Sequence, residues 1–186
     1  MSGESGGVSK NHLPGNPVPF AAVNFNDQPA AKFIVTVDTE EEFDWNAPFR
    51  REGYGLRHIQ HIGRFQTLCD EFGVSPIYLI DYPVASDPKS IEIFNSILAS
   101  GSCEIGAQLH AWVTPPHDEE INTRNSYACN LPEPLERQKI ESLFGRLEQS
   151  FGAKPLIYRA GRYGAGPHTI SVLREMGVRI DSSVRS

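Results

Sequence analysis

The chain has 186 residues, 39% of them hydrophobic and 22% charged, with a net charge of -6 at pH 7. That length suits one domain with a real core, and the acidic balance excludes a surface built to neutralise many nucleic-acid phosphates. No apolar run is long enough to span a bilayer, and Met1 to Lys10 is Gly/Ser-rich rather than basic and then apolar, so no membrane partner and a cytoplasmic location are expected.

Residues 1–31, with Pro14, Pro17 and Pro19 among Gly, Asn and Ser, carry no helical or strand period and read as a flexible N-terminal arm. From Lys32 the pattern alternates. Phe33 to Val37 is a β-branched run, Leu56 to Phe72 has helical spacing, and Pro76 to Ile80 is again strand-like. A helix over Lys89 to Ala99 stops at Gly101, and a strand follows over Glu104 to His110. A helix over Leu135 to Phe151 stops at Gly152, and a strand covers Leu156 to Tyr158; a helix over His168 to Met176 closes at Gly177, before a last strand at Val178 to Asp181. Cys69, Cys103 and Cys129 cannot all pair and show no C-x-x-C spacing, so reduced, structural thiols are expected.

Five strands alternating with helices imply a parallel α/β sheet, either doubly wound or of the (β/α) barrel kind. No GxGxxG follows the first strand, which ends instead in Asp38-Thr39-Glu40-Glu41-Glu42, a run that would repel a pyrophosphate. The expectation is a deformed TIM-like (β/α) barrel over residues 32–186, with about five βα units. A whole barrel takes about 250 residues, so the sequence reads as a fragment that is incomplete at its C-terminus.

In such folds polar residues at strand C-termini are usually the reactive ones. Side chains two apart share a strand face, which places Thr36, Asp38 and Glu40 together. Two carboxylates in one low-dielectric mouth resist double ionisation, a pairing suited to a metal ligand beside a general base. On the third strand Gly106, Gln108 and His110 share a face, and an imidazole emerges at the strand end. Trp112, with Pro115 and Pro116 just beyond, has the makings of an aromatic wall for a sugar or, equally, of a core-capping side chain in a tight loop. The fourth strand ends in Tyr158-Arg159-Ala160-Gly161-Arg162-Tyr163-Gly164. Arg159 can orient a carboxylate such as Asp38 bidentately, Tyr163 offers a hydroxyl or backbone N–H to an oxyanion, and Arg162 reads more simply as a surface salt bridge. His58, His61 and His168 fall in or beside outer helices and are read as structural.

Three ordered segments, Thr36 to Trp45, Glu104 to His110 and Arg159 to Gly164, together resemble the motifs of the polysaccharide deacetylase (NodB-homology) superfamily, and Asp181-Ser182-Ser183 resembles its next motif. The resemblance implies a deformed barrel that hydrolyses acyl groups from N-acetylated sugars, or related C–N bonds, with a divalent metal, commonly zinc. It implies Asp38 as general base, Glu40 and His110 as metal ligands, and Arg159 and Tyr163 as the residues that steady the base and stabilise the oxyanion. Trp112 and Gln108 are the expected substrate contacts. Gln108 stands where the superfamily has the first of two histidines, which weakens the expected zinc site; Glu41 or His117 are the candidates to complete it. The late motif that supplies a His as general acid has no counterpart before Ser186. Two other outcomes stay open: a non-catalytic carbohydrate-binding relative, and an allantoinase-like amidohydrolase acting on a small amide.

Overall fold

The computed structural model describes residues 33–184, and the arm expected over residues 1–31 lies outside them. Five strands, β1 (Thr36–Thr39), β2 (Ile77–Ile80), β3 (Glu104–Leu109), β4 (Ile157–Ala160) and β5 (Ile180–Asp181), form one sheet in the order β1-β2-β3-β4-β5. Every neighbouring pair is parallel. The helices are α1 (Ile62–Glu71), α2 (Tyr82–Ser86), α3 (Pro88–Leu98), α4 (Glu133–Phe151) and α5 (Pro167–Glu175).

Strand order decides between the two α/β architectures. A doubly wound sheet reverses direction at a switch point, whereas here each strand is added beside the last, so right-handed crossovers lay the helices along one face. The sheet also curls. Arg159 of β4 reaches Asp38 and Thr36 of β1, although three strand steps amount to about 14 Å in a flat sheet at about 4.8 Å per step. The result is an α/β wall of the barrel kind, with β1 and β5 as its edges; it does not close among the described residues.

Burial follows from the sequence. Tyr78, Leu79 and Ile80 of β2 are consecutive and wholly buried, because a central parallel strand is covered on both faces. On α4 the buried Ile140, Leu143, Phe144 and Leu147 recur at helical spacing and form one stripe toward the core. Helix α4 ends at Gly152, whose φ of 76° is the left-handed cap that glycine adopts without penalty. Asp81 and Asp87 cap α2 and α3 by accepting from the N–H groups of Val84 and Ser90.

Several boundaries differ from the sequence reading. The first strand spans Thr36–Thr39 rather than starting at Phe33, since Phe33 and Ile34 are exposed and pairing with β2 begins at Thr36↔Ile77. The Leu56 to Phe72 helix resolves into a 3-10 turn (Arg57–His61) followed by α1. Helix α2 is not evident from the sequence; Pro83 looks like a breaker, yet it lies in the first turn, where no N–H is needed. No helix among the described residues is long and apolar enough to cross a membrane.

Candidate active site

The C-terminal ends of β1, β3 and β4 open on a cavity of about 220 Å³ lined by Asp38, Glu40, Trp45, Gln108, His110, Arg159, Ala160, Arg162 and Tyr163. Asp38 is exposed and forms an ion pair with Arg159 Nη1. The same guanidinium donates from Nη2 to Thr36 Oγ1 (3.0 Å) and from Nε to Ser182 Oγ (3.2 Å). Three contacts, two on β1 and one just past β5, therefore fix one fork and present the Asp38 carboxylate to the opening.

His110 lies just past β3 and is 1% exposed. Its Nδ1–H donates to Glu41 Oε2 (2.8 Å), while Nε2 faces Glu40 Oε2 at 3.1 Å on the cavity side. Burial works to lower the pKa of this imidazole, but the hydrogen bonds and charges of Glu40 and Glu41 override it and raise it to about 10. Burial likewise works to raise Glu41, and the His110 hydrogen bond and charge bring it to a net lowering. Gly161 is required beside the ring: a Cβ there would meet His110 Cδ2 and the Leu109 carbonyl oxygen at 2.5 Å each.

The residues fit a divalent ion held by Glu40 Oε2 and His110 Nε2. Tetrahedral zinc with bonds of about 2.0–2.2 Å separates two ligand atoms by about 3.4 Å, close to the 3.1 Å between these two. With an ion in place, Glu41 would keep the Nδ1 proton and leave Nε2 to the ion, as carboxylates behind metal-bound histidines do. Gln108 adds an unusual donor. Its Nε2 donates to Glu40 Oε2 (2.6 Å), and its buried Oε1 has no hydrogen-bond partner among the described residues. An orphaned buried carbonyl oxygen is an acceptor that a hard cation or its water satisfies. Oxygen thus outnumbers nitrogen in the donor set, which weakens any preference for zinc.

Glu41, Asp81 and His110 also place one donor atom each within 4.8 Å of one another. They form a hydrogen-bonded bracket rather than a ligand set. The Glu41 oxygens accept from His110 Nδ1 and Trp112 Nε1 (2.8 Å), and those of Asp81 accept from the backbone N–H groups of Glu41 (2.8 Å) and Val84 (2.9 Å). Burial, and then the neighbouring Glu41 carboxylate, push the Asp81 pKa well above the usual carboxylate range.

Most of the sequence-expected residues meet here: Asp38, Glu40, Gln108, His110, Arg159 and Tyr163 all line the cavity. Trp112 is a correction. It is 2% exposed, stacked on His110 (4.3 Å) and covered by Phe43 and Phe49, so no sugar can lie on it. Trp45, 58% exposed, holds the open aromatic position instead. Arg162 does not form the expected surface salt bridge; no carboxylate pairs with it among the described residues, and its Nη1 donates to Ser126 Oγ (2.6 Å). His117 does not line the cavity; burial and the charges of Lys139 and Arg51 lower its pKa. His58 and His168 sit beside Glu42 and Glu133 on the outside, as structural histidines do. Asp81 is the residue least visible in the sequence, while Glu41, a candidate ligand there, backs His110 from behind instead of lining the cavity. Asp81, the first residue past β2, carries the same strand-end signal as Asp38.

No family model matches the sequence, and no curated protein matches it. Solved structures do. A chitin deacetylase from the fungal pathogen Colletotrichum lindemuthianum is similar at a TM-score of 0.53 and 12% identity over 80% of this chain and 54% of that one. A variant of a peptidoglycan deacetylase from Bacillus subtilis gives 0.52 and 14%, over 82% and 59%. A CE4-family pseudoenzyme from Bacillus anthracis gives 0.53 and 10%, over 83% and 44%, and a mutant of it is described as having restored enzymatic activity. At these identities the likeness is one of fold. The chain, which spans about half the length of these relatives, has the fold of the polysaccharide deacetylases.

Proposed function

We propose that the chain carries the reactive wall of a metal-dependent hydrolase that removes an acyl group from nitrogen on a carbohydrate. The observation that carries this reading is the opening of an Arg159-held carboxylate, Asp38, and a Glu40–His110 donor pair on one cavity. A divalent ion held by Glu40 and His110 would polarise the amide carbonyl and acidify water. Asp38 takes the proton of the attacking water as the new C–O bond forms and returns it to the amine nitrogen as the C–N bond breaks, with Arg159 setting the direction of the carboxylate. Tyr163, half exposed at the mouth with φ of 58°, offers its N–H or hydroxyl to the oxygen on which charge develops. Glu41 holds the His110 ring, and His110 holds its place against Gly161.

The test is acetate release from N-acetylglucosamine oligomers by the full chain with added zinc, manganese or cobalt. Release that disappears in Asp38→Asn, at least about a hundredfold for a lost general base, and in His110→Ala supports the reading. A folded protein that binds the ion and releases no acetate with any of the three overturns it.

A second reading, a carbohydrate-binding relative without catalysis, is favoured by one observation: Gln108 donates its amide to Glu40, where an ion would need that oxygen. Sugar binding unaffected by chelator, with no ion retained, would be its signature.

A further inference from the structure

Arg159 and Arg162 flank the same short turn and are used differently. Arg159 is committed to Asp38, Thr36 and Ser182. Arg162 is half-buried and lines the cavity without a carboxylate partner among the described residues. Its guanidinium lies 4.1 Å from the ring centre of Tyr127, 5.3 Å from Phe49 and 5.9 Å from Trp45. Aromatic faces partly compensate a dehydrated cation and fix its position, but they do not neutralise it. Its backbone has φ of 55° and that of Tyr163 58°, two successive non-glycine residues in the left-handed region. Strain of this kind persists where the surroundings over-determine it, typically at ligand clamps.

Beside this fork stands Trp45. It is exposed at the cavity mouth yet braced edge-on by Phe43 (5.0 Å), which itself stacks on Phe49 (5.0 Å). A rigid open indole packs against the C–H face of a pyranose, and a fixed guanidinium donates to a carboxylate bidentately. The cavity's own carboxylates do not compete with such an anion, because Asp38 is paired with Arg159, and Glu40 with His110 and Gln108.

We propose that Trp45 and Arg162 form a subsite for a carboxylate-bearing N-acyl sugar, with its ring on the indole and its carboxylate in the Arg162 fork. This rests on the hydrolase reading for the site's chemistry, though not for the binding itself.

The experiment compares N-acetylglucosamine with two acidic counterparts, N-acetylmuramic acid and N-acetylglucosaminuronic acid, on the full chain with zinc. Affinity is read by calorimetry and acetate release by kcat/KM. At least one acidic sugar is expected to bind about tenfold or more tightly than the neutral one, as one charge-assisted contact supplies, and the preference should shrink with added salt. In Arg162→Gln the ratio of acidic to neutral affinity should fall toward one, and Arg162→Lys should keep part of it. The wild-type comparison decides even if a variant fails to fold. Equal affinities, no binding of any of the three, or an Arg162→Gln loss common to acidic and neutral sugars overturns the subsite. Preferential binding of an acidic sugar without acetate release retains the subsite and removes the hydrolase; release from the neutral sugar without acidic preference does the reverse.

Discussion

His110 is held by opposite charge on both ring nitrogens: Glu41 on Nδ1 and Glu40 on Nε2. Its pKa in the folded chain, raised to about 10, stands above the ordinary value of 6.5 that the unfolded chain restores. The imidazolium therefore stabilises the metal-free fold fully below about pH 6.5, and that contribution is lost as pH climbs through about 10. Denaturant midpoints of metal-free protein between pH 6 and 10 should fall along that window, with a flatter profile in His110→Gln; a wild-type profile as flat as the variant's would contradict the bracket. A divalent ion competes with the proton for Nε2, so ion affinity should rise with pH in the same range. The sequence makes part of this bracket legible. Asp38, Glu40, His110 and Arg159 are found by asking which polar side chains terminate parallel strands. Glu41 is not, because strand alternation ends at Thr39, and among three consecutive acids nothing local tells which carboxylate turns inward.

At the scale of elements, the loop after β3 is anchored from behind by α4. Lys139, wholly buried, donates Nζ to the carbonyl oxygens of Ala111 (2.8 Å), Thr114 (2.7 Å) and Pro116 (2.7 Å), and pairs with Glu119 at 3.0 Å. Burial works to lower the pKa of this amine against the opposing pull of Glu119, and the net shift is downward. Removing the cation leaves three carbonyls and a carboxylate short of a donor, so Lys139→Met should cost about 3–5 kcal/mol, the range for breaking a buried pair. Chemical denaturation measures it; a loss under about 1 kcal/mol would mean that the loop holds itself. The helical period of α4 is plain in the sequence, and its glycine stop is where Gly152 stands. The inward lysine is not, since period assigns a face to a residue but does not name a partner that arrives from a loop more than twenty residues upstream.

For the whole molecule, alternation of element types gives the parallel sheet and the barrel-like wall, while its curvature is visible only in the Arg159 contacts that span β1 and β4. Lysine carries no planar fork and cannot serve Thr36 and Asp38 as Arg159 does. Arg159→Lys should therefore speed amide exchange in β1 relative to β2 and β3, measured by hydrogen–deuterium exchange; unchanged β1 protection would assign the curl to the helices instead. The contact that aims Asp38 is thus also a strut of the arch. Agents that relax the arch, such as low denaturant or mild heat, should abolish the proposed acetate release while the helices keep their circular-dichroism signal, so that loss of release precedes melting.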